Sequence, residues 1–218
     1  MSKSKIEEEQ IRPLEVRWAS LTILFFTLYA IVRYIIFKGV DPTHFPVYIM
    51  NKVFSSAGLF FLALSYTLGK ITVKKQAGKK ETTHWIKNAG LLGFSLSAMH
   101  VIMTLMILNP SYYPKFYDGD MMNLTGELSL LMGVLSLFFF TIPAITTIPF
   151  MQEAVGLKKW QKRQRMGYFG LLTALLHVVV MGFAGWLKVS TWPGYLPPIT
   201  LISAVIAIVP LYLKYVRR

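Results

Sequence analysis

The sequence predicts an all-α integral membrane protein, a six-transmembrane-helix bundle with both termini in the cytoplasm. Of its 218 residues, 54% are hydrophobic, and the mean hydropathy is +0.50, which is too apolar for an ordinary soluble domain. Six apolar stretches have about the 20 residues that a helix needs to cross a bilayer. Basic residues are concentrated in alternate connections, and this pattern indicates the orientation of the helices.

The domain organisation follows from where these stretches begin and end. Residues 1–17 are predicted to form a cytoplasmic N-terminal segment, residues 18–215 the membrane domain, and residues 216–218 a cytoplasmic C-terminus. The first segment lacks the apolar core and cleavage site of a signal peptide, so the first helix is expected to be an uncleaved insertion signal. The predicted spans are 18–37, 53–73, 89–108, 128–150, 166–187 and 199–215. Pro143 and Pro149 predict a kink near the end of the fourth span.

Loop charges set the predicted topology. Most of the 23 basic residues precede the first span, follow the second or the sixth, or separate the fourth from the fifth. The other three connections contain only Lys38, Lys52, Lys115 and Lys188. The positive-inside rule therefore places both termini in the cytoplasm, and we expect a location in the plasma (cell inner) membrane. The net charge of +13 is mostly this topology signal, so the lipid bilayer, and no nucleic acid, is the expected partner.

Two histidines lie deep inside predicted spans, His100 in the third and His177 in the fifth. Ionisable side chains in hydrocarbon are costly and usually mark function. Both helices run from inside to outside, and each histidine follows its boundary residue, Asn88 or Arg165, by about 18 Å at ~1.5 Å per residue. The two imidazoles are therefore expected at one depth, as axial ligands of a single buried haem iron. The alternative is a polar pair that only makes hydrogen bonds. The chain has no cysteine, which excludes thiolate sites.

A matched pair of glycines precedes each histidine. Gly90 and Gly93 precede His100 by ten and seven residues, and Gly167 and Gly170 precede His177 by the same offsets. Seven residues are nearly two helical turns, so the nearer glycine lies almost directly below its histidine. The missing side chains are expected to leave space for the haem edge or for a flat electron donor. Close helix packing is the alternative explanation.

Other polar residues leave more than one interpretation open. Arg33, near the outer end of the first span, either snorkels to the lipid headgroups or pairs with a haem propionate. His44 and His84 fall in predicted loops, where solvated side chains are expected. Tyr112 and Tyr113 lie in an outer loop and are expected to be interfacial anchors.

The segment from about Trp85 to Tyr212 resembles the six-helix domain of the STEAP metalloreductases, within the ferric-reductase-like membrane superfamily. The resemblance rests on the order and spacing of short strings over most of the chain. These strings are Gly90-Leu-Leu-Gly-Phe-Ser-Leu-Ser-Ala-Met-His100, Gly167-Tyr168 with His177 nine residues beyond the tyrosine, Glu127, Thr147-Ile148-Pro149, Trp160 and Pro197-Pro198.

The resemblance implies one b-type haem ligated by His100 and His177. It also implies electron flow from the cytoplasmic side to an external acceptor, such as a ferric or cupric chelate or oxygen. The histidines that would hold a second haem are missing, since their places fall near Lys87 and Gln164. In STEAP-like proteins a flavin occupies that inner position, so FAD or FMN is implied there, with Lys87 and Gln164 as its contacts. A homotrimer is implied by the same analogy.

The electron donor is the main open question in the sequence. No Gly-x-Gly-x-x-Gly follows a predicted strand, so a separate cytoplasmic reductase, a diffusible reduced flavin or a quinol is the expected donor. One alternative function is a quinol-oxidising haem subunit that delivers electrons to an extracytoplasmic partner enzyme. Another is a non-redox transporter or scaffold that uses the histidines as polar helix contacts.

Overall fold

The computed structural model describes residues 3–74 and 80–216, with side chains described over 15–72 and 84–216. Predicted features at residues 1, 2, 75–79, 217 and 218 lie outside the described residues. The helices are α1 (Lys3–Ala30), α2 (Met50–Lys74), α3 (Lys80–Ile107), α4 (Leu124–Thr146), α5 (Pro149–Val155), α6 (Leu157–Gln164), α7 (Gly167–Trp186) and α8 (Ile199–Tyr215). A small antiparallel hairpin joins β1 (Tyr117–Asp118) to β2 (Met121–Met122).

Six helical spans in the described part of the chain are long and apolar enough to cross a membrane. They are Glu15–Phe37, Pro42–Thr72, His84–Ile107, Leu124–Thr146, Leu157–Trp186 and Pro193–Tyr215. Many large apolar side chains on them face outward, such as Phe25, Leu105 and Phe138. An outward apolar surface is what lipid requires. The all-α, six-helix fold class is therefore confirmed.

The second span begins earlier than predicted. A short 3₁₀ turn at Pro42–His44 leads into a π-helical segment, Phe45–Ile49, which continues directly into α2. Asn51 and Lys52, expected in a connection, therefore lie in the first turn of α2. The prediction failed because Pro46 and two polar residues interrupt the apolar pattern without interrupting the helix.

The third and fourth spans also differ from their predicted bounds. His84, expected in a loop, lies in α3, where its Nδ1 is 2.9 Å from Glu15 Oε1 on α1. The fourth span ends at Thr146, four residues before its predicted end. Ile148 is extended because it precedes a proline, and Pro149 then begins the separate helix α5.

Helices α2 and α3 approach each other closely at two glycines. A Cβ added to Gly93 would lie 2.7 Å from the Leu62 nitrogen, and one added to Gly58 would lie 2.8 Å from Ser97 Oγ. Small residues allow helix backbones to pack tightly in membranes. The α2–α3 contact in turn fixes α3, which carries His100. On the other side of the bundle, α7 packs against α4 and α8 and carries His177.

Candidate functional site

A cavity of about 650 Å³ lies inside the bundle, between α2, α3, α4, α7 and α8. His100 from α3 and His177 from α7 both line it. Its volume falls within the ~300–1,000 Å³ range of cofactor and ligand sites. The structure therefore brings the two predicted ligand residues to one cavity. On one side of the histidines the cavity extends to Leu62 on α2 and Phe140 on α4, and on the other side it extends to the loop that carries Tyr112 and Tyr113.

The ring of His100 is oriented by Asn51. Its Nδ1 lies 2.6 Å from Asn51 Oδ1 and 3.3 Å from the Asn51 backbone oxygen. Both oxygens accept hydrogen bonds here, so Nδ1 carries the proton and donates it. The Nε2 atom then has a free lone pair, and no described residue forms a hydrogen bond with it. Asn51 is only 1% exposed, which makes this support part of the helix core.

The ring of His177 is oriented by α4. Its Nδ1 lies 2.7 Å from the backbone oxygen of Ser129 and 3.3 Å from the Ser129 hydroxyl. A carbonyl oxygen can only accept, so this Nδ1 also carries the proton. Gly133, one turn further along α4, makes room for the ring, because a Cβ there would lie 3.2 Å from Nδ1. Among the described residues, Nε2 of His177 likewise has no hydrogen-bond partner.

These two tautomers are the ones that metal-binding imidazoles adopt. A ligating histidine usually donates its second N–H to a carbonyl or carboxylate, which fixes the ring and raises its basicity. Within the described ranges, no group of three or more His, Cys, Asp or Glu side chains converges on a metal site. Two imidazoles would complete the coordination of an iron whose other four donors come from a porphyrin. The residues present at this cavity therefore fit haem.

The four predicted haem-packing glycines lie against neighbouring helices and outside the cavity lining. Gly93 faces the α2 backbone at Leu62, and Gly170 faces the Phe140 ring, 3.0 Å from an added Cβ. Gly90 faces Ser65, and Gly167 faces the Tyr66 ring. Leu62 and Phe140 themselves line the cavity. Gly93 and Gly170 therefore pack against residues that form the cavity wall. This placement favours the close-packing alternative, and direct contact of these glycines with a cofactor stays a prediction.

Positive side chains gather at the outer part of the cavity. Arg33, Lys38, Lys52 and Lys115 all line it, and no Asp or Glu is found among its described lining residues. Partial burial lowers the pKa of Lys38 and lowers the pKa of Lys115 to about 8. The Lys52 ammonium lies 3.8 Å from the centre of the Tyr48 ring. Unbalanced positive charge attracts anions, so this region suits a carboxylate or an anionic chelate.

Arg33 is 6% exposed and faces the protein interior. One of its terminal nitrogens donates to the Leu196 backbone oxygen, and its buried Nε has no partner among the described residues. A buried cation with an unused donor fits the propionate interpretation better than the snorkelling one. The pairing itself stays a prediction.

Neither of the predicted flavin contacts lines the cavity that His100 and His177 share. Lys87 is exposed on α3, and Gln164 lies at the end of α6. The Gln164 amide donates to the Pro143 backbone oxygen at 3.1 Å and to the hydroxyls of Thr146 and Thr147 at 3.2 and 3.1 Å. It therefore caps the C-terminal end of α4. A flavin role for either residue stays a prediction.

Sequence reasoning missed the residues that orient the histidines. The sequence pattern does not indicate a role for Asn51, Ser129 or Gly133. Tyr113, predicted to anchor the membrane interface, lines the cavity. A usable signal existed, because a buried asparagine or serine in a membrane helix needs a hydrogen-bond partner. The identity of that partner depends on helix packing, which the sequence does not display.

The fold and site together define a six-helix integral membrane protein with two histidines at one interior cavity. The chain is similar to metalloreductase STEAP2 of Homo sapiens, with 25% identity over 218 residues that cover 84% of this chain and 44% of the relative. The similarity to the Mus musculus metalloreductase STEAP2 is 24% over 216 residues, with the same coverage of 84% and 44%. The chain thus spans less than half the length of these curated relatives. No protein-family profile matches it. The distant similarity supports a STEAP-like membrane domain.

Proposed function

We propose that this protein is a transmembrane b-type cytochrome of the metalloreductase type, with His100 and His177 as axial ligands of one haem. One observation carries the proposal: both imidazoles line the same cavity, and each has its Nδ1 proton held by an oxygen acceptor. Haem, when bound, would supply one-electron redox chemistry. The chain's own residues provide ligation, burial and charge.

The proposed direction of electron flow is toward the external side. One end of the cavity lies at Tyr112 and Tyr113, in a loop that the distribution of basic residues is expected to place on that side. His100 and His177 would hold the haem, which would supply one-electron chemistry for the reduction of an external acceptor. The cations Arg33, Lys38, Lys52 and Lys115 would hold propionates and attract an anionic ferric or cupric chelate, and oxygen is a further acceptor.

The donor is proposed to act from the cytoplasmic side as reduced FAD or FMN, or as a separate flavoprotein. Lys87 is exposed on α3 and is available to an anionic partner, which is compatible with docking there. Localisation in the plasma membrane and cytoplasmic termini form part of this proposal.

A quinol donor is a second candidate, and a specific feature favours it. An apolar groove of about 550 Å³ lies between α1, α2 and α3 and is flanked by Trp18 and Trp85. Glu15 and Asn88 line the same groove, and Asn88 Nδ2 donates a hydrogen bond of 2.6 Å to Glu15 Oε2. Aromatic walls and a polar end suit a flat, lipid-soluble ring that carries hydroxyl groups.

The proposal is tested by expressing the protein with haem supplied and recording reduced-minus-oxidised spectra. A b-type spectrum is expected in wild type and not in the double variant His100→Ala/His177→Ala. The oxidised protein is then mixed separately with reduced FMN and with a quinol analogue, and haem reduction is followed. Ferric citrate or oxygen is added last to follow reoxidation. A wild-type preparation without haem contradicts the proposal. Reduction by quinol alone, inhibited by substitution of Glu15, selects the second candidate.

A further inference from the structure

Asn51 lies at the centre of a hydrogen-bond network that connects three parts of the protein. Its Oδ1 accepts from His100 on α3 at 2.6 Å. Its Nδ2 donates to Thr104 Oγ1 and to the Tyr113 hydroxyl, both at 3.1 Å. Tyr113 belongs to the outer loop and lines the outer end of the cavity. A single buried amide therefore contacts both a ligand histidine and the cavity mouth.

The two histidines differ in the kind of group that supports them. His177 donates to the backbone oxygen of Ser129, and no side-chain substitution removes that acceptor. His100 has its shorter hydrogen bond to a side-chain amide whose other end is bonded to Tyr113, and the Asn51 backbone oxygen lies further away at 3.3 Å. Hydrogen bonds in a chain polarise one another, so the Tyr113 bond strengthens Oδ1 as an acceptor. The strength of the hydrogen bond that orients His100 can therefore change, while the hydrogen bond that orients His177 depends on the backbone of α4.

We propose that Asn51 is a positioning residue that holds the tautomer of His100 and sets its basicity according to the state of Tyr113. This inference rests on the proposed haem function. A stronger acceptor on Nδ1–H makes the imidazole a better electron donor and stabilises ferric iron, and a weaker one favours ferrous iron. A molecule at the cavity mouth that takes over the Tyr113 hydroxyl weakens the Asn51 acceptor and makes the haem easier to reduce.

The chain supplies a graded set of variants to test this. Asn51→Asp strengthens the side-chain acceptor, Asn51→Leu leaves only the more distant backbone oxygen at 3.3 Å, and Tyr113→Phe removes only the bond at the far end. Ser95→Ala is the matched control, because Ser95 is exposed on α3, bonds only to the Leu91 backbone oxygen and does not line the cavity. The measured quantities are the haem midpoint potential, from a spectroelectrochemical titration, and the haem affinity of the apoprotein.

We expect the potential to fall in Asn51→Asp, to rise in Asn51→Leu, and to rise by a smaller amount in Tyr113→Phe. Haem affinity is expected to fall about 10- to 100-fold in Asn51→Leu, as for other groups that orient metal ligands, and to be retained in Asn51→Asp. Ser95→Ala is expected to leave both quantities at their wild-type values.

Equal potentials in wild type, Asn51→Asp and Tyr113→Phe would overturn the inference while leaving the haem proposal intact. A shift in Ser95→Ala as large as that in Asn51→Asp would also overturn it, because the effect would then not be specific to the support of His100. If Asn51→Leu fails to fold, the other two variants still decide the outcome. A wild-type protein that binds no haem would instead contradict the proposed function itself.

Discussion

Gly133 lies directly against the imidazole of His177, because a Cβ added to Gly133 would lie only 3.2 Å from Nδ1. Ser129, one turn earlier on α4, provides the carbonyl that accepts from the same nitrogen at 2.7 Å. Residues four apart lie on one face of a helix, so one stripe of α4 both makes room for the ring and orients it. The ring position therefore depends on a missing side chain as much as on a hydrogen bond.

Enlarging Gly133 is expected to displace His177. In Gly133→Val the branched side chain occupies the place of the ring, and haem affinity should fall by at least about tenfold, the lower end of the range for groups that orient metal ligands. Haem titration of the apoprotein measures this. Gly69→Val is the matched control, because Gly69 lies in α2 outside the cavity lining and a Cβ added there has no atom within 4 Å. Equal haem affinity in the two variants would contradict the packing of Gly133 against the His177 ring.

Removal of either ligand is expected to abolish stable haem binding. His100→Ala and His177→Ala each leave one iron position without an imidazole, and the b-type absorbance of the purified protein should be lost. His84→Ala is the control, because His84 lies near Glu15 and does not line the cavity. Haem retention at wild-type stoichiometry in either ligand variant would show that the iron is held elsewhere.

Anion binding at the outer end of the cavity is expected to weaken as the pH rises through about 8. Burial lowers the pKa of Lys115 to about 8, so its positive charge is present below that pH and is lost above it. The loss should reduce citrate affinity by about two- to fivefold, as expected for one partly exposed ion pair. Isothermal titration from pH 6.5 to 9.5 measures the change.

Substitution of Lys115 by arginine distinguishes loss of the Lys115 charge from the titration of other charged groups. Lys115→Arg keeps its charge across the range, so its citrate affinity should not fall near pH 8. Lys188→Arg is the control, because Lys188 does not line the cavity. A fall in affinity that persists in Lys115→Arg would assign the pH dependence to another group.

Gln164 is expected to contribute to stability whether or not a flavin binds. Its amide donates to the Pro143 backbone oxygen and to two threonine hydroxyls at the end of α4. Gln164→Ala should therefore lower the unfolding free energy by about 1–2 kcal/mol. Lys87→Gln, at an exposed position, should change it by less than ~0.5 kcal/mol. Thermal unfolding in detergent provides the comparison, and an unchanged midpoint for Gln164→Ala would contradict the capping role.

The same two variants address the flavin prediction. A flavin contact at either residue would slow haem reduction by reduced FMN and leave reduction by dithionite unchanged. If only the stability of Gln164→Ala changes, its role is confined to the end of α4.

Much of this protein could be predicted from its sequence, because the bilayer imposes simple rules. Spans need about 20 apolar residues, and that length requirement made the six helices visible. The cost of an ionisable group in hydrocarbon likewise singled out His100 and His177. The predicted helix ends were less accurate. The π-helical segment before α2 and the capped end of α4 depend on tertiary contacts, and hydropathy carries no information about those contacts.

Tertiary structure alone decided what surrounds the two histidines. Asn51, Ser129 and Gly133 are far from their partners in sequence, and they meet because α2 packs on α3 and α4 packs on α7. The same packing placed Gly93 and Gly170 behind the cavity wall and brought Arg33 and Lys52 onto it. The sequence by itself determined that His100 and His177 lie within apolar spans, where an unpaired polar group is costly. Only the packed helices determined which partner relieves that cost, because a hydrogen bond requires atoms to meet in space.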